Sequence, residues 1–428
     1  MKEDFLQYLW KYKKFEAARL KTTEGKDVAI VSVGMHNQLA GPDFFNARIR
    51  IDGQLWAGNI ELHVKASQWY GHGHEKDRKY DNVILHVVWE DDIAVYGVGN
   101  AVLPTLLLKS YVTEDLLSSY KKLFDRTGKR FINCEQDFHA VPDPLMQNWL
   151  ERLYFERLER KVKEVDGLLK TSKNDWEAAL FFLLMRSFGT KINGAAFAAL
   201  AGSIPFKIIR KSTSVENALE PLLLGQAGLL MEQSNDIQVL EWKKEYAYLK
   251  HKYELPQNHG EPVQFFKLRP PNFPTIRLSQ VAALYSEKKA LFSKLMQAEH
   301  LDEYYELLSV KASPYWDMHY TFGKTHKARP KSLSRSFINI LLINTIIPLK
   351  FAYLRSKTTA EPEKILELIA AIPTEKNSIV DSFFKLRKLP ENALTSQALL
   401  ELKNNYCDPN ACLKCQVGNY LISNPDTL

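Results

Sequence analysis

The sequence predicts an α+β fold: an N-terminal α/β unit with a mixed sheet, followed by a large all-helical region. Two patterns carry this. Between residues 28 and 109 the apolar residues follow short, β-branched runs or alternate with period two. Beyond Tyr111 they recur at helical spacing almost to the end. The apolar fraction of 45% and charged fraction of 25% are those of a globular chain. A length of 428 residues is long for one core. The expected division is an α/β domain at 1–112, helical domains at 113–255 and 256–405, and a cysteine-containing segment at 406–428.

Residues 4–20 read as an amphipathic helix, with Phe5, Leu6, Leu9, Tyr12, Phe15 and Leu20 as core contacts. Val28 to Val33 suits a buried strand. Phe45, Ala47, Ile49 and Ile51 alternate with Asn46, Arg48 and Arg50, and Asp52-Gly53 then supplies a type I′ turn, which needs positive φ at both positions. The strand returns through Trp56, Ile60, Leu62 and Val64. This turn pairs Ile49 with Trp56 and Phe45 with Ile60, and brings Asp43 beside Leu62. Val83 to Trp89 is a further strand, and 93–98 and 102–109 supply one or two more. Helices are expected at 114–125, 143–168, 174–188, 194–201, 215–232, 236–249, 278–293, 298–309, 333–354, 362–371, 376–387 and 392–405. The prolines in Leu268–Pro274 exclude a helix there. The apolar run Ile338 to Leu354 reads as a buried helix stopping near Pro348, too interrupted to span a membrane.

The formal charge of +7 arises wholly after residue 112 and permits a polyanionic partner without demanding one. The N-terminus lacks the pattern of a signal peptide, and four cysteines in so long a chain are no disulfide framework. A cytoplasmic protein without membrane attachment is the expectation.

Chemistry concentrates in two places. Gly41-Pro42-Asp43 precedes one strand, and Glu61, His63 and Lys65 share a face of the next, about 6.7 Å apart in succession. An acid at a strand entrance followed by an acid and a base is how a magnesium-dependent nuclease builds its site. Strict pleating would turn Asp43 away from Glu61, unless a bulge near Gly41-Pro42 redirects it. The second place is the loop His72-Gly73-His74 with Asp77, whose imidazoles, completed by Glu61 or His63, are candidate zinc or manganese ligands. The bland alternatives are a solvated strand face and exposed loop histidines. His86, inside an apolar strand, reads as a hydrogen-bonded core histidine.

The strings Gly41-Pro42-Asp43-Phe44, Gly58-Asn59-Ile60-Glu61-Leu62-His63, Gly71-His72-Gly73-His74 and Tyr80 to Val88 carry a family resemblance. Arg269 to Pro274 and Asn344 to Pro348 continue it. On these the chain resembles the bacterial family catalogued as domain of unknown function 2851, which supplies no mechanism. The strand pair itself resembles the PD-(D/E)xK phosphodiesterases. That resemblance implies a restriction-endonuclease-like fold for 1–112 and makes Asp43 and Glu61 ligands of Mg²⁺ or Mn²⁺. The chain departs from that pattern where His63 occupies the lysine position, with Lys65 one pleat further on as a substitute.

Cys407-x4-Cys412-x2-Cys415, with Cys134 as a remote fourth ligand, resembles a zinc knuckle or an iron–sulfur loop. Residues 315–335 interleave Trp316 and other aromatics with Lys324, Lys327, Arg329, Lys331 and Arg335, a pattern that serves DNA or RNA binding or a solvated loop. Three functions stand open: a metal-dependent nuclease, a noncatalytic nucleic-acid or protein-binding module on a degenerate nuclease-like scaffold, and a zinc hydrolase acting on a smaller substrate.

Overall fold

A sheet of seven strands forms the N-terminal part of the protein in the computed structural model, which describes residues 1–424 except 38, 125–129, 232–233, 257–259 and 358–360. Helix α1 (Glu3–Tyr12) buries Phe5, Leu6, Leu9 and Trp10. The strands are β1 (Leu20–Lys21), β2 (Asp27–Ser32), β3 (Met35–His36), β4 (Phe44–Ile51), β5 (Gln54–Lys65), β6 (Val83–Glu90) and β7 (Thr105–Leu107). Their order is β1-β2-β4-β5-β6-β7, with β3 beside β4. The pairs from β1 to β5 are antiparallel, and β5-β6-β7 are parallel. The sheet is therefore mixed, as expected. A parallel pair needs a crossover, and the segment that joins β5 to β6 is the histidine loop.

The Asp52-Gly53 turn forms as its dipeptide dictates, with φ of 46° and 81°, and Ile49 opposes Trp56. Further along, the register departs from expectation: Phe44, not Phe45, opposes Ile60. A bulge lies between Phe44 and Ala47, where Asn46 takes a positive φ of 55°. Its backbone N–H turns to the Asn59 side-chain oxygen at 3.3 Å. The extra residue sets Asp43 opposite Glu61, so the bulge sits inside β4 rather than at Gly41-Pro42.

Two compact units follow from the chain's contacts. One comprises residues 1–147, 385–387 and 402–428; the other comprises 148–384 and 388–401. The C-terminal segment thus belongs with the N-terminal sheet, and these limits differ from the expected boundaries at 112, 255 and 405. Helices α3 (Glu114–Phe124) and Gln416–Ser423 pack together within the first unit.

The second unit is helical. The expected helix over 278–293 is two, Pro274–Glu287 and Leu291–Gln297, separated by Ala290 at φ 53°. Pro274 starts the first of them, where its missing N–H costs nothing. A short helix, Phe206–Ser212, lies between the helices expected at 194–201 and 215–232. The long apolar helix does not stop at Pro348 but runs Arg335–Ser356. A π turn over Leu342–Ile346, with the Ile347 N–H reaching Leu342 O, lets the helix continue past the proline. This helix is long and apolar enough to cross a membrane, and 67% of its apolar window is buried inside the protein.

Candidate metal-binding active site

Glu61 and His63 occupy the second half of β5, where both faces of the strand are covered; they are 5% and 1% exposed. Close approach makes this possible. A Cβ on Gly58 would lie 2.5 Å from Ile84 Cγ2 and 2.6 Å from Asn82 O, so only glycine lets the start of β6 come so near. The bulge then delivers Asp43. Its backbone N–H donates to Glu61 Oε2 at 3.0 Å, and its own carboxylate accepts from the Leu62 N–H (3.0 Å) and from Gln7 Nε2 on α1 (2.8 Å).

The crossover supplies the remaining groups. Helix α2 (Gln68–Gly71) buries Trp69, and Gly73 at φ 73° turns the chain between His72 and His74. Trp69 belongs to an apolar cluster with Ala66, Val83, Val88, Val95 and Leu103, against which Tyr80 packs. The Tyr80 ring stacks on His74 at 3.8 Å between centroids. The loop is therefore anchored at Trp69 and Tyr80, with the histidines between the anchors.

One nitrogen each from His63, His72 and His74 lies within 4.8 Å of the other two. His63 Nε2 is 3.2 Å from His72 Nδ1. Glu61 Oε1 lies 3.2 Å from His74 Nε2 and 3.6 Å from His63 Nε2. The His74 contact has the distance of a hydrogen bond but not its alignment, and His74 Nε2 is buried without a hydrogen-bond partner. On its far side, His63 Nδ1 meets His86 Nε2 at 2.8 Å. With the proton on Nδ1, His63 presents a lone pair on Nε2, the usual orienting arrangement for a histidine ligand.

Electrostatics set this cluster apart. Burial, and for Asp43 next the neighbouring Glu61, pushes both carboxyls well above the usual carboxylate range. Burial first, and then the surrounding imidazoles, holds His63 down to about 2. His86 is lowered to about 3, mainly by burial. Tyr80 is raised to about 12 by burial and then by Glu61 and Asp43. Buried Glu61 and half-buried Asp43 lie beside buried His63, half-buried His74 and exposed His72, a donor set that favours a divalent cation, and nitrogen with one carboxylate suits zinc, manganese or iron.

Several expected participants lie elsewhere. Lys65 is one pleat too far along: its ammonium pairs with Glu90 at 3.7 Å in solvent. Asp77 accepts from the Lys79 N–H at 3.0 Å and caps a 3₁₀ turn beside His74, outside the imidazole cluster. In the second unit Trp316 is fully buried, its indole N–H donating to Glu220 at 2.6 Å, so its ring is closed to a stacking base. Lys331 is 6% exposed and donates to the carbonyls of Asp317 and Arg329. Lys324, Lys327, Arg329 and Arg335 remain exposed, Arg335 over the Tyr305 ring. Conversely, Gln7 and Tyr80 join the site without a sequence motif to announce them. His86 is the hydrogen-bonded core histidine expected, and its partner is the site itself.

The chain belongs to a family of proteins of unknown function, domain of unknown function 2851, whose model matches residues 3–378. No curated protein and no solved structure matches it.

Proposed function

We propose that the protein is a metal-dependent hydrolase of phosphodiesters, a nuclease in the broad sense. Glu61, His63, His72 and His74 would hold the ion, and Asp43 is the positioning carboxylate beside them. The observation that carries the reading is the convergence of three imidazole nitrogens within 4.8 Å, with Glu61 Oε1 against them. The donor set favours Zn²⁺ or Mn²⁺ over Mg²⁺, which prefers oxygen. A divalent ion bound there supplies a Lewis acid and lowers the pKa of water.

The remaining work falls to the chain. Asp43, beside the ion and not among its proposed ligands, is the carboxyl that burial and then Glu61 hold above the usual range, and it is suited to take a proton near neutral pH. Gln7 and the Leu62 amide fix Asp43, and His86 fixes the His63 ring. His63, held down to about 2, stays neutral, so it serves as a ligand and not as the cation that a lysine would provide. The phosphodiester class is supported by the Asp43 and Glu61 pair on adjacent strands. A zinc hydrolase acting on a smaller ester is the second reading, favoured by the number of imidazoles.

Hydrolysis of DNA, RNA, bis-p-nitrophenyl phosphate and p-nitrophenyl acetate with Zn²⁺, Mn²⁺ or Mg²⁺ tests this. Wild type should cleave a phosphodiester with Zn²⁺ or Mn²⁺. Glu61→Gln, folded by circular dichroism, should be slower by about 10²–10⁴-fold. Turnover of the carboxylic ester alone would favour the second reading. Metal binding without turnover of any substrate would leave a noncatalytic module.

A further inference from the structure

All four cysteines of the chain line one small cavity in the first unit. Cys134 comes from the turns that follow α3, and Cys407, Cys412 and Cys415 come from the C-terminal segment. Cys134, Cys412 and Cys415 are buried at 8% exposure or less, and Cys407 is half-buried. The rest of the wall is mostly apolar, with Leu123, Phe138, Leu402 and Val417 in it.

The backbone is shaped around this cavity. A π turn over Lys403–Cys407 ends one helix, Asn410 takes φ 56°, and Cys415 is the N-terminal boundary residue of the helix Gln416–Ser423. A Cβ on Gly418 would lie 2.2 Å from Cys412 O, so glycine alone lets that helix close on the Cys412 turn. Across the cavity the Asn133 amide donates to Asn410 Oδ1 at 3.2 Å and to Cys412 Sγ at 3.4 Å. Burial alone gathers cysteines often, since a free thiol behaves as a small apolar group. It does not explain why every cysteine of the chain, from two distant segments, faces the same hole.

We infer that the four cysteines bind a thiolate-held metal centre, a zinc ion or an iron–sulfur cluster, that fastens residues 402–428 to the N-terminal sheet unit. Four thiolates complete either centre. The centre is structural: the Gln416–Ser423 helix packs on α3, and the Cys412 turn packs on α1, which carries Gln7 to Asp43. It stands apart from the hydrolase reading, and three of its four cysteines, Cys407, Cys412 and Cys415, lie beyond the span 3–378 matched by the family model.

The test is elemental analysis of the full chain, prepared without oxygen, for zinc, iron and acid-labile sulfide. Wild type and His72→Ala/His74→Ala should both retain the thiolate-held metal, and Cys134→Ser and Cys407→Ser/Cys412→Ser, each made in the His72→Ala/His74→Ala background so that the imidazole cluster holds none, should lose it. Iron with sulfide and broad visible absorption identifies a cluster; zinc without absorption identifies a single ion. Equal metal in the cysteine variants overturns the inference. Should those variants fail to fold, the histidine double variant decides: stripped by a chelator and given Co²⁺, it should develop thiolate charge-transfer absorption. A protein lacking both native metal and that band sinks the idea.

Discussion

Lys350 in the second unit and Glu61 in the first are both buried charged residues, and their surroundings are opposite. The Lys350 ammonium donates to Met296 O at 3.0 Å, to Tyr304 Oη at 2.9 Å and to Ala298 O. Each of its protons has an acceptor. Glu61 accepts one backbone N–H at Oε2, while Oε1 faces two imidazole nitrogens, one of them without a hydrogen-bond partner. Buried polar groups are normally satisfied, because an unmade hydrogen bond in a low dielectric is costly. The fully paired ammonium of Lys350 is architecture. The unsatisfied, convergent surroundings of Glu61 support the site proposed above.

That contrast breaks most sharply under mutation. Lys350→Met leaves the buried Met296 carbonyl without this donor, while Ala298 O keeps the Tyr304 hydroxyl as its donor, and should destabilise the protein by about 1–3 kcal/mol. Glu61→Gln removes a carboxyl whose ionisation burial already opposes, so the metal-free protein should keep its stability or gain some. Its metal-dependent turnover should nonetheless collapse. Urea denaturation in the presence of a chelator, beside the hydrolysis assay, separates the two. An equal loss of stability in both variants would make Glu61 architecture as well.

What the sequence made legible follows the same line. The sheet, the Asp52-Gly53 turn and most helices could be read because periodicity and turn chemistry are local. The positions of Asp43, Glu61, His63, His72 and His74 could be read as donors because strand spacing and His-Gly-His are local too. Their convergence could be read only in part, as loop imidazoles completed by Glu61 or His63. It depends on a bulge at Asn46, an ordinary-looking residue in an alternating strand, and on a parallel crossover that folds the histidine loop back over β5. The same limit misplaced Lys65, which fits the motif by spacing but lies past the end of the cluster. It misread Trp316, whose partner Glu220 is far away in sequence.

A smaller effect sharpens the comparison through protons. Asp43 and Glu61 hold their protons more tightly in the folded protein than in the unfolded chain. Below the ordinary carboxylate range this stabilises the metal-free fold, and the contribution is lost as pH rises toward the raised values. Metal binding runs the other way, because a cation must displace those protons. Calorimetric metal affinity should therefore rise with pH across this window while metal-free stability falls. Asp43→Asn should flatten both slopes and weaken metal binding by about 10–100-fold, as loss of a positioning group does. A slope unchanged in that variant would assign the protons elsewhere, and Lys350→Met offers the control in which no such slope change is expected.

The smallest effect probes how the chain builds an open site from ordinary sheet. Asn46 at φ 55° donates its backbone N–H to the Asn59 side chain, and its own side chain is exposed. Asn46→Gly keeps that N–H and tolerates the left-handed backbone, so stability and metal affinity should both stay close to wild type. Asn46→Val keeps the N–H but places a β-branched residue in the left-handed region, which costs roughly 1–2 kcal/mol. Relief comes by removing the bulge, and that would slide Asp43 off Glu61 by one residue and turn its carboxylate to the other face. Metal affinity in Asn46→Val should then fall together with thermal stability. Loss of stability with full metal affinity would show that the bulge is only local turn chemistry, and that Asp43 reaches Glu61 by some other constraint, the Gln7 hydrogen bond from α1 being the first to remove.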